Sequence, residues 1–276
     1  MKIGFIGAGN MGSAILKGIA CNSFYKIAVY EKSEERAAEI SAETGAERKN
    51  SVEELIASSD VILIAVKPVH IDALISEIKT CEGYESKIYV SIAAGVKIER
   101  FTNVLGNVAV VRTMPNLPAM VGEGLTGIYF YNMDDDKYLS AKEQIVGVFE
   151  HCGKVVNLPD ESYVDKIISV TSISPAYICI MIDALADGAV RAGFSRKDAY
   201  IMAEQTVYGT AKYLLETGTL PAVLKDMVCS PAGTTIEAVA SLEKSGFRGA
   251  IFDAMEVCEN KALGKKGRCF MKKVVI

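Results

Sequence analysis

The stretch MKIGFIGAGNMGSAILKGIA at residues 1–20 constrains the fold of this chain more than any other. It reads as a short apolar strand, a glycine turn, and a helix with apolar residues at Met11, Ala14, Ile15 and Ile19. Gly7, Gly9 and Gly12 stand in G-x-G-x-x-G spacing. In that pattern the first glycine makes a tight turn, the second lets backbone approach a pyrophosphate, and the third lets helix pack on strand. The bare pattern is weak evidence. Here the strand before it and the helix after it supply its context, and KIAVYEK gives a second strand ending at Glu31, where a carboxylate can meet the adenosine ribose.

Further strands are expected at VILIAV (61–66), IYVSIAA (88–94), VAVVRTM (108–114) and GLTGIYFY (124–131), with helices between several of them. The fully apolar run Val61 to Val66 fits a central parallel strand covered on both faces. The expectation is an α/β chain with an N-terminal Rossmann-type doubly wound sheet. Lys67, Pro68, Ala94, Gly95, Pro115 and Asn116 would then follow carboxyl ends of strands, where such sheets bind ligands.

From about Pro159 strand signals give way to helical segments punctuated by Gly and Pro. The domains read as 1–158, dinucleotide-binding, and 159–276, all-helical, for substrate binding and dimerisation. Residues 178–192 are apolar nearly all round apart from Asp183, Asp187 and Arg191. Such a helix must be buried, so a homo-oligomer, a dimer or a multiple of dimers, is expected. The apolar run between Lys166 and Asp183 is interrupted by Ser, Thr and Pro175 and reads as too short for the ~20 residues of a membrane helix.

Composition excludes several classes. Across 276 residues the net charge is −4, which provides no basic field for nucleic acid, and the tail carrying Lys265, Lys266, Arg268, Lys272 and Lys273 is too short to change that. Seven cysteines, scattered from Cys21 to Cys269 without a C-x-x-C or Cys/His cluster, suit buried thiols in a reducing cytoplasm and argue against a metal site. The N-terminus lacks the pattern of a signal peptide, so a cytoplasmic protein without a membrane partner is expected.

CSPAGTTIEAVASLE, residues 229–243, makes a second turn running into a helix, and a helix start with free N–H groups and hydroxyls suits an anion. LKDMVCSPAGTTIEAVASLE resembles the signature of the pyrroline-5-carboxylate reductases, whose turn runs S-P-G-G-x-T. The resemblance continues through IGFIGAGNMGSAI, AVKP, SIAAGV, RTMPNLPAMVGEG and SPAYICIMIDALADGAVRAG, in order along the chain. It implies hydride transfer from NADPH or NADH to the C=N carbon of 1-pyrroline-5-carboxylate, giving L-proline in the last step of proline synthesis. A cyclic imine is basic enough to be partly protonated near neutral pH, so positioning can supply much of the rate. The only histidines are His70, which reads as a cleft-rim residue, and His151, which reads as surface.

Carried over residue by residue, the resemblance puts the substrate carboxylate at Ser230, Gly233, Thr234 and Thr235, with Thr235 the catalytic-site hydroxyl, Val228 against the ring and Glu161 at the substrate end of the cleft. The N–H groups of Gly233, Thr234 and Thr235 are the expected donors. The bland reading of Thr234 and Thr235 is helix capping. For the cofactor the resemblance marks Ile6, Gly7, Ala8, Gly9, Asn10, Met11, Glu31, Lys32, Asn50, Ala65, Val66, Lys67, Pro68, Ala93, Ala94 and Gly95. Asn50 also reads as a turn or cap before SVEELIASS.

Two departures stand out: Thr171, Ser172, Ile173 and Ser174 replace a glycine-containing segment, and Ala232 replaces the first glycine of the turn. Ala232 matters only if the backbone there needs positive φ. A β-hydroxyacid dehydrogenase is disfavoured because Lys166 is followed four residues later by Val170 and not Asn, and a non-enzymatic nucleotide binder would lack the carboxylate turn. Cofactor choice is divided. Glu31 would repel a 2′-phosphate and favour NADH, whereas Lys32, Ser33 and Arg36 could bind that phosphate and the resembling family commonly accepts NADPH. Use of both is expected.

Overall fold

A computed structural model describes residues 1–262 and 264, so the Lys-rich tail and Cys269 lie outside the described residues. The chain divides into a unit built on Met1–Ser172 and another built on Ile173–Lys261.

The first unit holds eight strands: β1 (Lys2–Ile6), β2 (Lys26–Tyr30), β3 (Glu47–Arg48), β4 (Val61–Ile64), β5 (Ile88–Ser91), β6 (Ala109–Met114), β7 (Gly124–Tyr131) and β8 (Gly153–Asn157). They form one sheet in the order β3-β2-β1-β4-β5-β6-β7-β8. Only the β6–β7 pairing is antiparallel. The order reverses between β1 and β4, which opens a crevice beyond their carboxyl ends. β4 ends two residues and β5 three residues before their apolar runs do, because Ala65, Val66 and Ile92 to Ala94 have already left the ladder. β3 and β8 were not anticipated: β3 has two residues, and β8 carries the glycine and lysine of GKVVN, which obscure a strand pattern.

Side chains alternate between the two faces with the period of a strand. Phe5, Leu63, Val90 and Val111 pack with Ile15, Leu16 and Ile19 of α1 (Asn10–Ala20) and with Val148 and Phe149 of α6 (Leu139–Glu150). Ile6, Ile62, Ile64, Tyr89 and Val110 pack on the other face. There they meet α3 (Val52–Ser58), α4 (Ile71–Ile78) and α5 (Ile98–Leu105). α2 (Glu34–Thr44) starts on the cap of Ser33 and stops at Gly45, whose φ is 71°. α7 (Ser162–Lys166) and a π-helical turn, Ile168–Ser172, complete this unit. Its boundary therefore falls at 172, later than the change read at 158/159, because Glu161 and Asp165 are ion-paired to Arg112 of β6.

The second unit contains α8 (Ser174–Arg191), α9 (Arg196–Thr217), α10 (Pro221–Val228), α11 (Thr234–Lys244) and α12 (Phe247–Ala262). Among the described residues its buried core is three alanines, Ala186, Ala199 and Ala203, with Ile182, Ala189 and Val190 packed partly against them. Ile180 of α8 is 70% exposed, and Ile178 and Leu185 are also exposed in the single chain. So small a core does not hold five helices together, so this unit demands a partner surface. The helical run Ser162–Arg191 has 30 residues and is long and apolar enough to cross a membrane by length and composition, contrary to the shorter estimate from the sequence, because Pro175 opens α8 without ending the run. The six described cysteines are free, but only Cys81 and Cys152 are buried; Cys21 and Cys179 are exposed.

Candidate functional site

The G-x-G-x-x-G loop links β1 to α1 at the crevice. Gly7 has φ +93°, and its N–H donates to Tyr30 O at 2.9 Å, fixing the turn to β2. A Cβ on Gly12 would stand 2.7 Å from Ala65 Cβ and 2.9 Å from Gly7 O, so this glycine is required for close packing. A Cβ on Gly9 would meet nothing within 4 Å. Its open side, at the N-cap of α1, leaves room for a pyrophosphate on the helix N-terminus, and the residues fit a dinucleotide. Asn10 opens the helix; Met11 packs partly into the core.

A cavity of about 350 Å³ adjoins the loop. Ile6, Gly7, Gly9, Glu31, Lys32, Ala65, Val66 and Lys67 line it, eight of the cofactor residues marked in the sequence. His70 lines it too. Tyr30, Val52, Ala73, Leu74 and Glu77 complete the wall and were not singled out. Tyr30 was legible as the last residue of β2, and Leu74 and Glu77 as an i,i+3 pair on α4. Pro68 starts the short 3₁₀ turn after Lys67. Ala93, Ala94 and Gly95 follow the carboxyl end of β5, with Gly95 at φ +72°. Asn50 precedes the Ser51 cap of α3, and its N–H and side-chain amide both donate to Glu54 Oε2, at 2.9 and 3.3 Å.

Glu31 accepts from Ala8 N–H at 2.7 Å and from Ser33 N–H at 3.2 Å. Ser33 Oγ caps α2 through Arg36 N–H at 3.3 Å. Arg36 points under the loop, donating from Nε to Ala8 O at 3.1 Å and from its second terminal nitrogen to Ser13 Oγ at 2.8 Å. Arg36, one of three sequence candidates for a 2′-phosphate, is thus engaged beneath the loop, whereas Ser33 Oγ accepts at the cap and keeps its own O–H to donate.

Glu161 lies in the first unit. Its Oε1 accepts from Ile98 N–H at 2.7 Å and from Arg112 at 3.0 Å. Arg112 is 1% exposed and also holds Asp165. This buried network was missed, although an arginine inside the apolar run VAVVRTM was its sequence signal. Asn116, in the MPN turn, donates to Thr171 O at 3.0 Å and accepts from Leu125 N–H at 2.8 Å.

Val228, Ser230, Gly233, Thr234 and Thr235 come together in the second unit, between α10 and α11. Val228 ends α10 and is 59% exposed. Gly233 is the N-cap of α11 and no side chain caps that helix, so plain capping by Thr234 or Thr235 is not what the turn does. Gly233 N–H donates to Ser230 O at 3.0 Å inside the turn, so it is not the free anion donor expected of it. A Cβ on Gly233 would collide with Ser230 Oγ. Ala232 has φ 57°, a left-handed conformation in which glycine would be unstrained. Among the described residues no three His, Cys, Asp or Glu side chains gather as a metal site.

Comparison with known proteins adds to this geometry. The model of a family described as pyrroline-5-carboxylate reductase dimerisation matches residues 161–264. One described as NADP oxidoreductase coenzyme F420-dependent matches residues 2–95. The pyrroline-5-carboxylate reductase of Escherichia coli strain K12 is 40% identical over 267 residues, covering 95% of this chain and 97% of that protein. Among solved structures, a pyrroline-5-carboxylate reductase from Coxiella burnetii superposes with TM-score 0.89 at 29% identity, covering 96% of this chain and 98% of that one. The enzyme of Plasmodium falciparum, solved with NADP bound, superposes with TM-score 0.80 at 29% identity over 96% and 97% of the two chains.

Proposed function

The chain belongs to the pyrroline-5-carboxylate reductase family, and from that premise we propose how its own residues divide the work of reducing 1-pyrroline-5-carboxylate. It is an NAD(P)H-dependent oxidoreductase and forms a homo-oligomer. When bound, the reduced nicotinamide supplies a hydride that the C=N carbon of the protonated imine accepts, giving L-proline.

The observation that carries the division is the uncapped N-terminus of α11. Its first-turn N–H groups at Thr234 and Thr235, with the hydroxyls of Ser230 and Thr235, hold the substrate carboxylate. Gly233 contributes by keeping the Ser230 turn tight, through the N–H it gives to Ser230 O. Val228 offers an apolar face to the ring carbons. The glycine loop and the residues after β4 and β5 hold the cofactor, with Glu31 at the ribose edge and Asn50, Lys67 and Pro68 along the crevice. Glu161, held by Ile98 N–H and Arg112, fixes the start of α7 at the carboxyl end of the sheet. No strong protein acid is required, because the substrate nitrogen enters the reaction already carrying its proton. The subunits pair through α8, and the protein works in the cytoplasm.

Oxidation of reduced nicotinamide by the purified protein with pyrroline-5-carboxylate, set against 3-hydroxyisobutyrate with NAD(P), tests this reading. Turnover of the imine alone is expected. Turnover of the hydroxy acid alone would replace it with a dehydrogenase.

A further inference from the structure

The peptide groups on either side of Ala8 are held by opposite charges. Ala8 is fully buried, its N–H donates to the Glu31 carboxylate at 2.7 Å, and its C=O accepts from Ser13 Oγ at 2.7 Å and Arg36 Nε at 3.1 Å. Arg36 also donates to Ser13 Oγ at 2.8 Å and to Glu39 at 2.5 Å. Ser13, Ala8 and Arg36 therefore close a small ring of hydrogen bonds beneath the loop that meets the pyrophosphate. A guanidinium at this place in a nucleotide-binding unit has two possible jobs. It can face the cavity and receive a 2′-phosphate, or it can face the loop and fix it. The cavity wall includes Glu31 and Lys32 but not Arg36.

We propose that Arg36 is a positioning residue for the dinucleotide loop, withdrawn from any 2′-phosphate, and that the site so built selects NADH over NADPH through Glu31. With Arg36 beneath the loop, Lys32 is the cation next to Glu31 on the cavity wall, which Lys67 also lines, and the Glu31 carboxylate opposes it. A 2′-phosphate would place about two negative charges beside that carboxylate. The adenosine 2′-hydroxyl of NADH carries none and can donate to it.

The test is direct binding of NADH and NADPH to the full protein, followed by nicotinamide fluorescence, for wild type, Arg36→Gln, Arg36→Lys and Glu31→Ser. Wild type is expected to bind NADH the more tightly. Arg36→Gln should weaken both cofactors in parallel by about tenfold or more, the size of hydrogen bonds from a charged donor, leaving their ratio unchanged. Arg36→Lys should recover part of that loss for both. Glu31→Ser should move the ratio toward NADPH by about tenfold, equivalent to roughly 1.4 kcal/mol of relieved repulsion. A merely structural defect would lower the number of sites found by titration and leave the dissociation constants of the folded fraction alone. Loss of NADPH binding alone in Arg36→Gln or Arg36→Lys, unchanged binding of both, or tighter binding of NADPH by wild type would each overturn the proposal. It rests on the cofactor site alone: a protein that bound both dinucleotides and reduced no imine would refute the reductase reading and leave this one standing.

Discussion

Arg112 reaches both carboxylate oxygens of Asp165 from inside the sheet, at 3.2 and 2.5 Å. The pair ties the middle of β6 to α7, and Glu161 joins it from the same helix start. Arg112 Nε is buried with no partner among the described residues, so the guanidinium depends on its two terminal nitrogens. Removing Arg112 leaves the buried Asp165 carboxylate without its counter-charge, and removing the Asp165 charge leaves Arg112 with Glu161 alone. Asp165→Asn or Arg112→Met should therefore cost about 3–5 kcal/mol, read by chemical denaturation, whereas Arg112→Met combined with Asp165→Leu should regain most of it. Equal losses in the single and double variants would mean that packing, and not charge, holds α7.

Thr235→Ala should lower kcat/KM for pyrroline-5-carboxylate by about ten- to a hundredfold, since a hydrogen bond to a charged group is worth roughly 1.5–3 kcal/mol. Cofactor affinity should stay constant, because Thr235 lies in the helical unit and the glycine loop in the other. An unchanged kcat/KM would remove Thr235 from the site.

The turn at Ala232 is strained by its own side chain. An alanine held at φ 57° gives up about 1–2 kcal/mol relative to right-handed backbone, offset in part by the greater freedom of an unfolded glycine. Ala232→Gly is expected to stabilise the protein by about 0.5–1 kcal/mol in denaturant titrations at matched protomer concentration. A loss of stability would show that the alanine methyl packs usefully in the assembly.

The sheet was legible because its strands advertise themselves: Val61 to Ile64 and Ile88 to Ser91 are buried throughout, and Gly7, Gly9 and Gly12 fix the turn between β1 and α1. β3 and β8 were not, since two residues of Glu47–Arg48 and the mixed GKVVN carry no periodic signal. At the candidate site, the sequence singled out Ser230 to Thr235 but did not show the bond from Gly233 N–H to Ser230 O, which depends on the left-handed Ala232 between them. It placed Arg36 beside the ribose by counting from Glu31, and only the side-chain path under Ala8 reveals the other role. Spacing along a chain gives neighbourhood; the direction of a long side chain is a tertiary fact.

The helical unit makes the last prediction. Its buried core among the described residues is Ala186, Ala199 and Ala203, while Ile180, 70% exposed, and Ile178 and Leu185 are left open on α8. Burying one isoleucine of this kind contributes about 1.5–3 kcal/mol, so an α8 face repeated on two subunits supplies several such terms where one subunit supplies almost none. Sedimentation should find wild type larger than a monomer at micromolar concentration. Ile180→Asp should shift it toward monomer and, because the second unit then lacks a core, lower the thermal stability of that unit more than that of the sheet. A wild type that sediments as a folded monomer would show that five helices can be held by so small a core, and the pairing through α8 would have to be given up.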